Sequence, residues 1–270
     1  MQFTVFSDKL PSLSLAGFKH EFRTVHAQQT KDMASTLGII SCYVQGLYLP
    51  STMDCPPLRN LPLPEHTEPY QSFAQLSWPS IGVLQAALHT SGYRDSAGKH
   101  EFAVPQHLFL TERLEPEVSF DNLAMAAKPV MLMMVLAPKS HNDSVFQEAW
   151  DHHAMFSRSV CPRYQRNKTL IVSDAQVKAV FVDTQFPVST YLAEGGYEEF
   201  IFANVEEAQS FLEEHGQSLA SSYRGFCRED SWCAMFDFVE QYGQSDIGLR
   251  QRIAGAVIGA FLGTKTVIGL

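Results

Sequence analysis

Phe18-Lys-His-Glu-Phe22-Arg-Thr-Val-His26 in the first half of the chain and Phe146-Gln-Glu-Ala-Trp150-Asp-His-His153 in the second share one pattern. An aromatic residue is followed one helical turn later by another, and about one turn later by a histidine. At 3.6 residues per turn, each stretch puts two rings and an imidazole along one side of a helix. Outward from the first copy, Phe18, Phe22, Val25, Gln29, Met33 and Leu37 make one mostly apolar stripe. Ser12 or Ser14 supplies an N-cap and Gly38 a C-cap. A strand is expected before this helix, over 2–6, and another after it, over 39–49. The Pro-rich run 50–69 reads as an irregular crossing. A strand over 70–77, a helix opened by Ser77-Trp-Pro-Ser80 and a strand over 104–114 complete the first half.

The second half repeats the order. A strand is expected over 130–137, a helix over 146–160 stopped by Cys161-Pro162, and at least one strand within 169–182. A strand over 197–202 follows, then a helix capped at Asn204 and running to about His215, and a closing strand over 231–239. The order β, α, β, β, α, β, twice over, is that of two ferredoxin-like units, each with its helices on one face of an antiparallel sheet. The halves also answer one another beyond the first helix: Tyr43-Val-Gln45 with Tyr164-Gln165, and Trp78-Pro-Ser80 with Phe202-Ala-Asn204.

The chain has 270 residues, 45% of them hydrophobic and 18% charged, with a formal net charge of −9. That length suits two similar halves, and the acidic balance without a basic stripe argues against nucleic acid and anionic membrane as partners. The five cysteines include no C-x-x-C pair, so a reducing, cytoplasmic setting without a disulfide framework or zinc knuckle is expected. No signal peptide is read at the N-terminus, and the sequons at Asn142 and Asn167 are expected to carry no sugar. No spacing suits a metal, and no glycine-rich loop suits a nucleotide, so no cofactor is expected. The tail 253–263 spaces Gly255, Gly259 and Gly263 by four. It is too short to span a bilayer and reads as a helix docked on the barrel or on a partner chain, without stable membrane insertion.

With its aromatic-histidine helix followed by Tyr-x-Gln or Tyr-Gln, the chain resembles a tandem repeat of the EthD family, of the dimeric α/β-barrel superfamily and the fungal secondary-metabolite type. The resemblance implies an α+β fold in which two ferredoxin-like repeats, 1–120 and 128–243, form an intramolecular dimeric-type α/β barrel, with 244–270 packed on it. It implies that the bare sheet faces pack on one another around an apolar pocket. It also implies a cofactor-independent enzyme acting on an aromatic polyketide. A homodimer is compatible with this reading and not required by it.

His153, on the stripe of Trp150 and Phe156, is the first candidate acid-base group, and His26, at the edge of its own stripe, the second. The competing reading of His153 is a core histidine satisfied by its neighbours. Tyr43 and Gln45 share a strand face and are candidates to hold a substrate oxygen, as are Trp150, Tyr164 and Arg166, the last able to fork onto a carboxylate. A packed aromatic and a surface turn are the plain alternatives. The acidic stretches 143–151 and 194–199 read as solvated faces and caps. The foremost expected reaction is decarboxylation of a polyketide carboxylic acid, with the enolate or phenolate held by Tyr or Gln and a histidine returning the proton. Cyclisation or isomerisation, cofactor-free oxygenation, and non-catalytic binding of a hydrophobic intermediate are the alternatives.

Overall fold

The computed structural model describes residues 1–50, 61–65, 70–99, 101–115, 128–140, 142–170, 172–186 and 195–242. The tail 244–270, and with it the expected docked helix, lies outside them. In order, the elements are β1 (Gln2–Lys9), α1 (Leu15–His20), a π-helical segment (Glu21–His26), α2 (Ala27–Leu37), β2 (Cys42–Tyr48), β3 (Ser72–Ser77), α3 (Ile81–Leu88), α4 (Ser91–Arg94) and β4 (Ala103–Arg113). The second half adds β5 (Val130–Leu136), α5 (Asp143–Val160), β6 (Tyr164–Thr169), α6 (Asp174–Phe181), β7 (Gly196–Phe202), α7 (Val205–Phe226) and β8 (Trp232–Tyr242).

The eight strands close one barrel in the order β1-β3-β2-β8-β5-β7-β6-β4. Each half contributes four neighbouring antiparallel strands in the ferredoxin-like order, β4-β1-β3-β2 and β8-β5-β7-β6. The halves meet through two seams, β2 on β8 and β4 on β6. A four-stranded sheet would leave two edges unpaired, and closing the two sheets on each other removes all four.

Alternation along the strands sends one set of side chains into the barrel and the other under the helices. Phe6, Phe73, Phe109, Met131, Met133 and Phe236 fill the interior. Toward β6 the interior turns polar, with Thr4 paired to the Tyr197 hydroxyl at 2.7 Å and Gln75 donating to Glu199 at 2.6 Å. Gly46 is needed at its place because a Cβ there would stand 2.0 Å from the Phe73 ring. The outer face of the first half packs under α2 and α3 through Phe3, Val5, Ile40, Leu84 and Leu88, joined by Val177 and Phe181 of α6. The outer face of the second half packs under α5 and α7.

Several expectations need correction. The expected pocket lies between the two sheets, whereas side chains fill the barrel interior described here and the cavity described below lies on the outer face of β1 and β3, under the helices. The strand expected within 169–182 lies earlier, at Tyr164–Thr169, and 174–181 is helix α6. β6 looks polar on both sides because Gln165 and Asn167 enter the polar end of the barrel while Tyr164 and Arg166 lie under α5. The Asn167 side chain is wholly buried, so this sequon is closed to a sugar in the folded chain. Helix α7 runs eleven residues past His215, with Leu219, Tyr223 and Phe226 continuing its apolar side. Glu198 and Glu199, read as solvated, are completely buried. Among the described residues, no helix is long and apolar enough to cross a membrane.

Candidate active site

The first helix begins where the Ser14 side chain accepts from the Gly17 amide and ends at Gly38, whose φ of 63° is left-handed. Between them, the π-helical turn Glu21–His26 takes up one residue more than an α-turn would. This absorbs the extra residue that separates Phe22 from His26 relative to Trp150 and His153. In a regular helix, His26 would lie about 80° around from Phe18. Instead it is buried, its ring lies 13° from parallel with that of Phe22, and its centroid is 4.9 Å from Phe102. The π turn is braced from β2, where Gln45 donates its side-chain amide to the Phe22 carbonyl at 2.7 Å. Arg23 donates to the Gln45 carbonyl at 3.0 Å and pairs with Asp237 of β8.

His26 lines a cavity between the outer face of β1 and β3 and the helices above them. The cavity is narrow, and the centre of a water molecule can reach about 40 Å³ of it. Val5, Ser7, Ser72 and Ala74 form its floor, and Phe22, Thr30, Met33, Tyr93 and Phe102 its walls, with Trp78 and Phe186 also lining it. Ser72 to Trp78 spans six residues of extended chain, roughly 20 Å, so the space is a long apolar slot. Trp78 Nε1 is buried with no hydrogen-bond partner among the described residues, while the Thr30 hydroxyl is turned to the Tyr43 phenol; both residues line the slot. A buried donor of this kind is normally paired, and a ligand oxygen in the slot would satisfy the indole. A more open depression over α2 and α4 shares Met33 and Tyr93 with the slot, which puts these two side chains at the junction.

Tyr43 and Gln45 stand behind the slot. The Tyr43 hydroxyl accepts from Gln45 Nε2 at 2.6 Å, and Gln45 Oε1 accepts from Gln241 at 2.8 Å. Burial pushes the Tyr43 phenol far above its ordinary pKa, so it stays protonated.

The equivalent region of the second half is closed. Glu198 is completely buried, and its carboxylate accepts from Trp150 Nε1, from the Tyr164 hydroxyl at 2.5 Å and from the Tyr223 hydroxyl. His153 Nε2 lies 3.3 Å from Glu198 and 3.1 Å from the Ser157 hydroxyl, and Nδ1 is 2.8 Å from Ser222. Burial opposes ionisation of Glu198, but His153 and the hydrogen bonds from His153, Tyr164 and Tyr223 outweigh it and hold the carboxyl below its usual range.

The structure therefore separates the sequence-derived candidates into two groups. His26, Tyr43 and Gln45 gather at the slot and its support. His153, Trp150 and Tyr164 surround Glu198, where the histidine ring is satisfied on both nitrogens and packed 4.3 Å from Tyr223. Arg166 donates to Glu115 through its backbone N–H and through Nε, each at 2.6 Å, pairs with Asp151 through Nη1 at 2.6 Å and lies 5.3 Å from the Trp150 ring centroid. It is buried in a structural ion pair. Thr30, Trp78 and Tyr93 were missed as site residues. Thr30 carries a signal in the sequence, since it stands one turn beyond His26 as Ser157 does beyond His153.

Residues 10–105 match the family model of the EthD domain. They include His26, Tyr43 and every lining residue of the slot except Phe3, Val5, Ser7 and Phe186. A chalcone isomerase, cfoK, of Aspergillus candidus is 26% identical over 204 residues, which is 72% of this chain and 77% of that protein. Among solved structures, an anthrone oxidase-like protein superposes over 90% of this chain and 93% of its own with a TM-score of 0.52 at 8% identity, a likeness of fold. Residues 10–105, most of the first repeat, are thus similar to an EthD domain, in a chain that closes a dimeric-type α/β barrel by itself.

Proposed function

We propose that the protein is a cofactor-independent acid-base enzyme of secondary metabolism, an isomerase or cyclase of an elongated aromatic polyketide bound in the slot beneath α1–α4. The observation that carries this reading is His26, placed by the π turn on the wall of an apolar slot whose other polar groups are neutral donors. An imidazole there can take a phenolic proton and return it to carbon. For a 2′-hydroxychalcone-like substrate, His26 removes the phenol proton and the phenolate oxygen bonds to the β-carbon of the enone. The C=C electron pair moves toward the carbonyl, and the imidazolium protonates the α-carbon. No atom is gained or lost. The cfoK relative, named a chalcone isomerase, supports this choice of reaction.

Decarboxylation, the foremost expectation from sequence, loses its carboxylate anchor here. Arg166 is committed to Glu115 and Asp151, and no Lys or Arg is found among the described lining residues. The test is conversion of 2′-hydroxychalcones and cyclisable polyketide phenols, followed by chalcone absorbance and product mass. Product of unchanged mass, lost in His26→Gln with the fold intact, is the expected result. Release of CO₂ or a strict need for O₂ would replace this reading with a decarboxylase or an oxygenase. Failure of every substrate of the class to turn over would replace it with a binding function.

A further inference from the structure

The two halves can be placed in register by their hydrogen-bonding ladders alone. Leu76 pairs with Phe3 and Tyr43 in the first half, and Phe200 pairs with Leu132 and Tyr164 in the second. Two residues back along each strand, Ala74 pairs with Val5 and Gln45, and Glu198 with Met134 and Arg166. Four residues onward, Ser80 and Asn204 both cap the next helix. Glu198 therefore occupies the position of Ala74, on the floor of the slot. Above it, His153 answers His26 and Ser157 answers Thr30.

We propose that the second repeat carries a self-occupied copy of the first repeat's site, in which the Glu198 carboxylate stands where the slot over Ala74 holds an anionic oxygen of its substrate, a phenolate or enolate. This deepens the isomerase reading and rests on the slot being the substrate site. In the second half the carboxylate gathers its donors, and the Ser157 hydroxyl is engaged with His153. In the first half a methyl group replaces that carboxylate, the corresponding Thr30 hydroxyl is turned to the Tyr43 phenol, and Trp78 Nε1, which lines the same slot, is a buried donor with no partner among the described residues. Removing an internal anion while keeping the imidazole and the hydroxyl above it leaves a place for an external one. Met134 for Val5 and Trp150 for Phe22 close the second copy further.

The probe is 4-nitrophenol, whose phenolate absorbs at longer wavelength than the phenol, titrated against the full chain with bound equivalents counted by equilibrium dialysis. The wild type is expected to bind one equivalent per chain, as the phenolate. Ala74→Glu, which builds the second half's carboxylate into the first, should fold and lose at least tenfold in 4-nitrophenol affinity. Glu198→Ala should bind a second equivalent, and acetate should raise its melting temperature without raising that of the wild type. An Ala74→Glu variant that binds 4-nitrophenolate like the wild type would overturn the proposal. So would a wild type that binds only the neutral phenol. Because Ala74→Glu decides the matter alone, the proposal survives as testable if Glu198→Ala does not fold. If these binding results hold and no polyketide is converted, the isomerase reading falls and this one stands. If substrates are converted equally by the wild type and Ala74→Glu, this one falls alone.

Discussion

Replacing Gln45 by methionine tests whether the π turn, and through it His26, is held from β2. The side chain makes three hydrogen bonds: to the Phe22 carbonyl at 2.7 Å, to the Tyr43 hydroxyl at 2.6 Å and from Gln241 at 2.8 Å. Methionine keeps the volume, so the packing cost is small. Gln241 can turn to water and the Tyr43 hydroxyl keeps Thr30 beside it, but the Phe22 carbonyl is left buried without this donor, at a cost of about 1–3 kcal/mol. A loss of that size, about 1–3 kcal/mol, is expected, read as a lower urea midpoint at unchanged slope. The effect on catalysis follows from helix geometry. Without its brace the turn can relax to α, which moves His26 by most of 80° around the helix and off the slot wall. Proton transfer by a positioned side chain accounts for roughly 10²–10⁴ in rate. A fall in kcat of tenfold or more is expected, with KM changing by less, since the apolar walls that bind the rings remain. If the midpoint drops while kcat and its pH profile stay fixed, the π turn is held by its own backbone, and Gln45 is structural only. If neither changes, the bracing argument is wrong.

Gly46→Ala should lower stability by about 3 kcal/mol or prevent folding, because the new Cβ would fall 2.0 Å from a Phe73 ring packed among Phe6 and Phe236; denaturant unfolding measures it. Arg166→Met leaves Glu115 buried without its main partner and should cost about 3–5 kcal/mol. Turnover per folded molecule should persist, and a large rise in KM would instead return Arg166 to a substrate-binding role. Stability should fall with acid in part through Glu198. Its pKa in the folded chain is depressed, so its contribution is complete above the unfolded value, near 4.5, and is lost as the pH drops through the folded one. Glu198→Gln should flatten the stability-pH curve below about pH 4.5, and urea midpoints that keep the wild-type slope there would show that the carboxylate is not held ionised.

The fold was legible because both signals that decide it are local. The aromatic stripes, the caps at Ser14, Ser80 and Asn204 and the left-handed Gly38 mark the helices, and the repeat of their order marks the two sheets. β6 escaped because its inward residues Gln165 and Asn167 are polar, beside Glu199 and Tyr197 of β7, and Arg166, paired with carboxylates, interrupts its outward side next to Tyr164. The end of α7 escaped because serines and a glycine separate Leu219, Tyr223 and Phe226, although their spacing still obeys the helical period. Glu198-Glu199 could have been recognised. Two successive residues in the middle of a strand must face opposite sides, so with both sides of β7 covered neither carboxylate could be solvated.

The ranking of the two histidines is where sequence geometry and site diverge, and the reason is physical. A regular helix places His153 within about 20° of Phe146 and leaves His26 at the edge of its stripe. Regular spacing therefore favours His153. The same regularity lets the second half pack completely, with indole, imidazole and two phenols converging on one carboxylate. An irregular turn, by contrast, survives only where something outside the helix holds it, and Gln45 together with the Arg23–Asp237 pair does so across the β2–β8 seam. Asp237 belongs to the second repeat, so the π turn that carries His26 depends on a residue from the other half. A tandem chain can thus close one copy of the site into a rigid core and lend its edge strand to shaping the other. The seam, then, is as much a part of the site as the slot it supports.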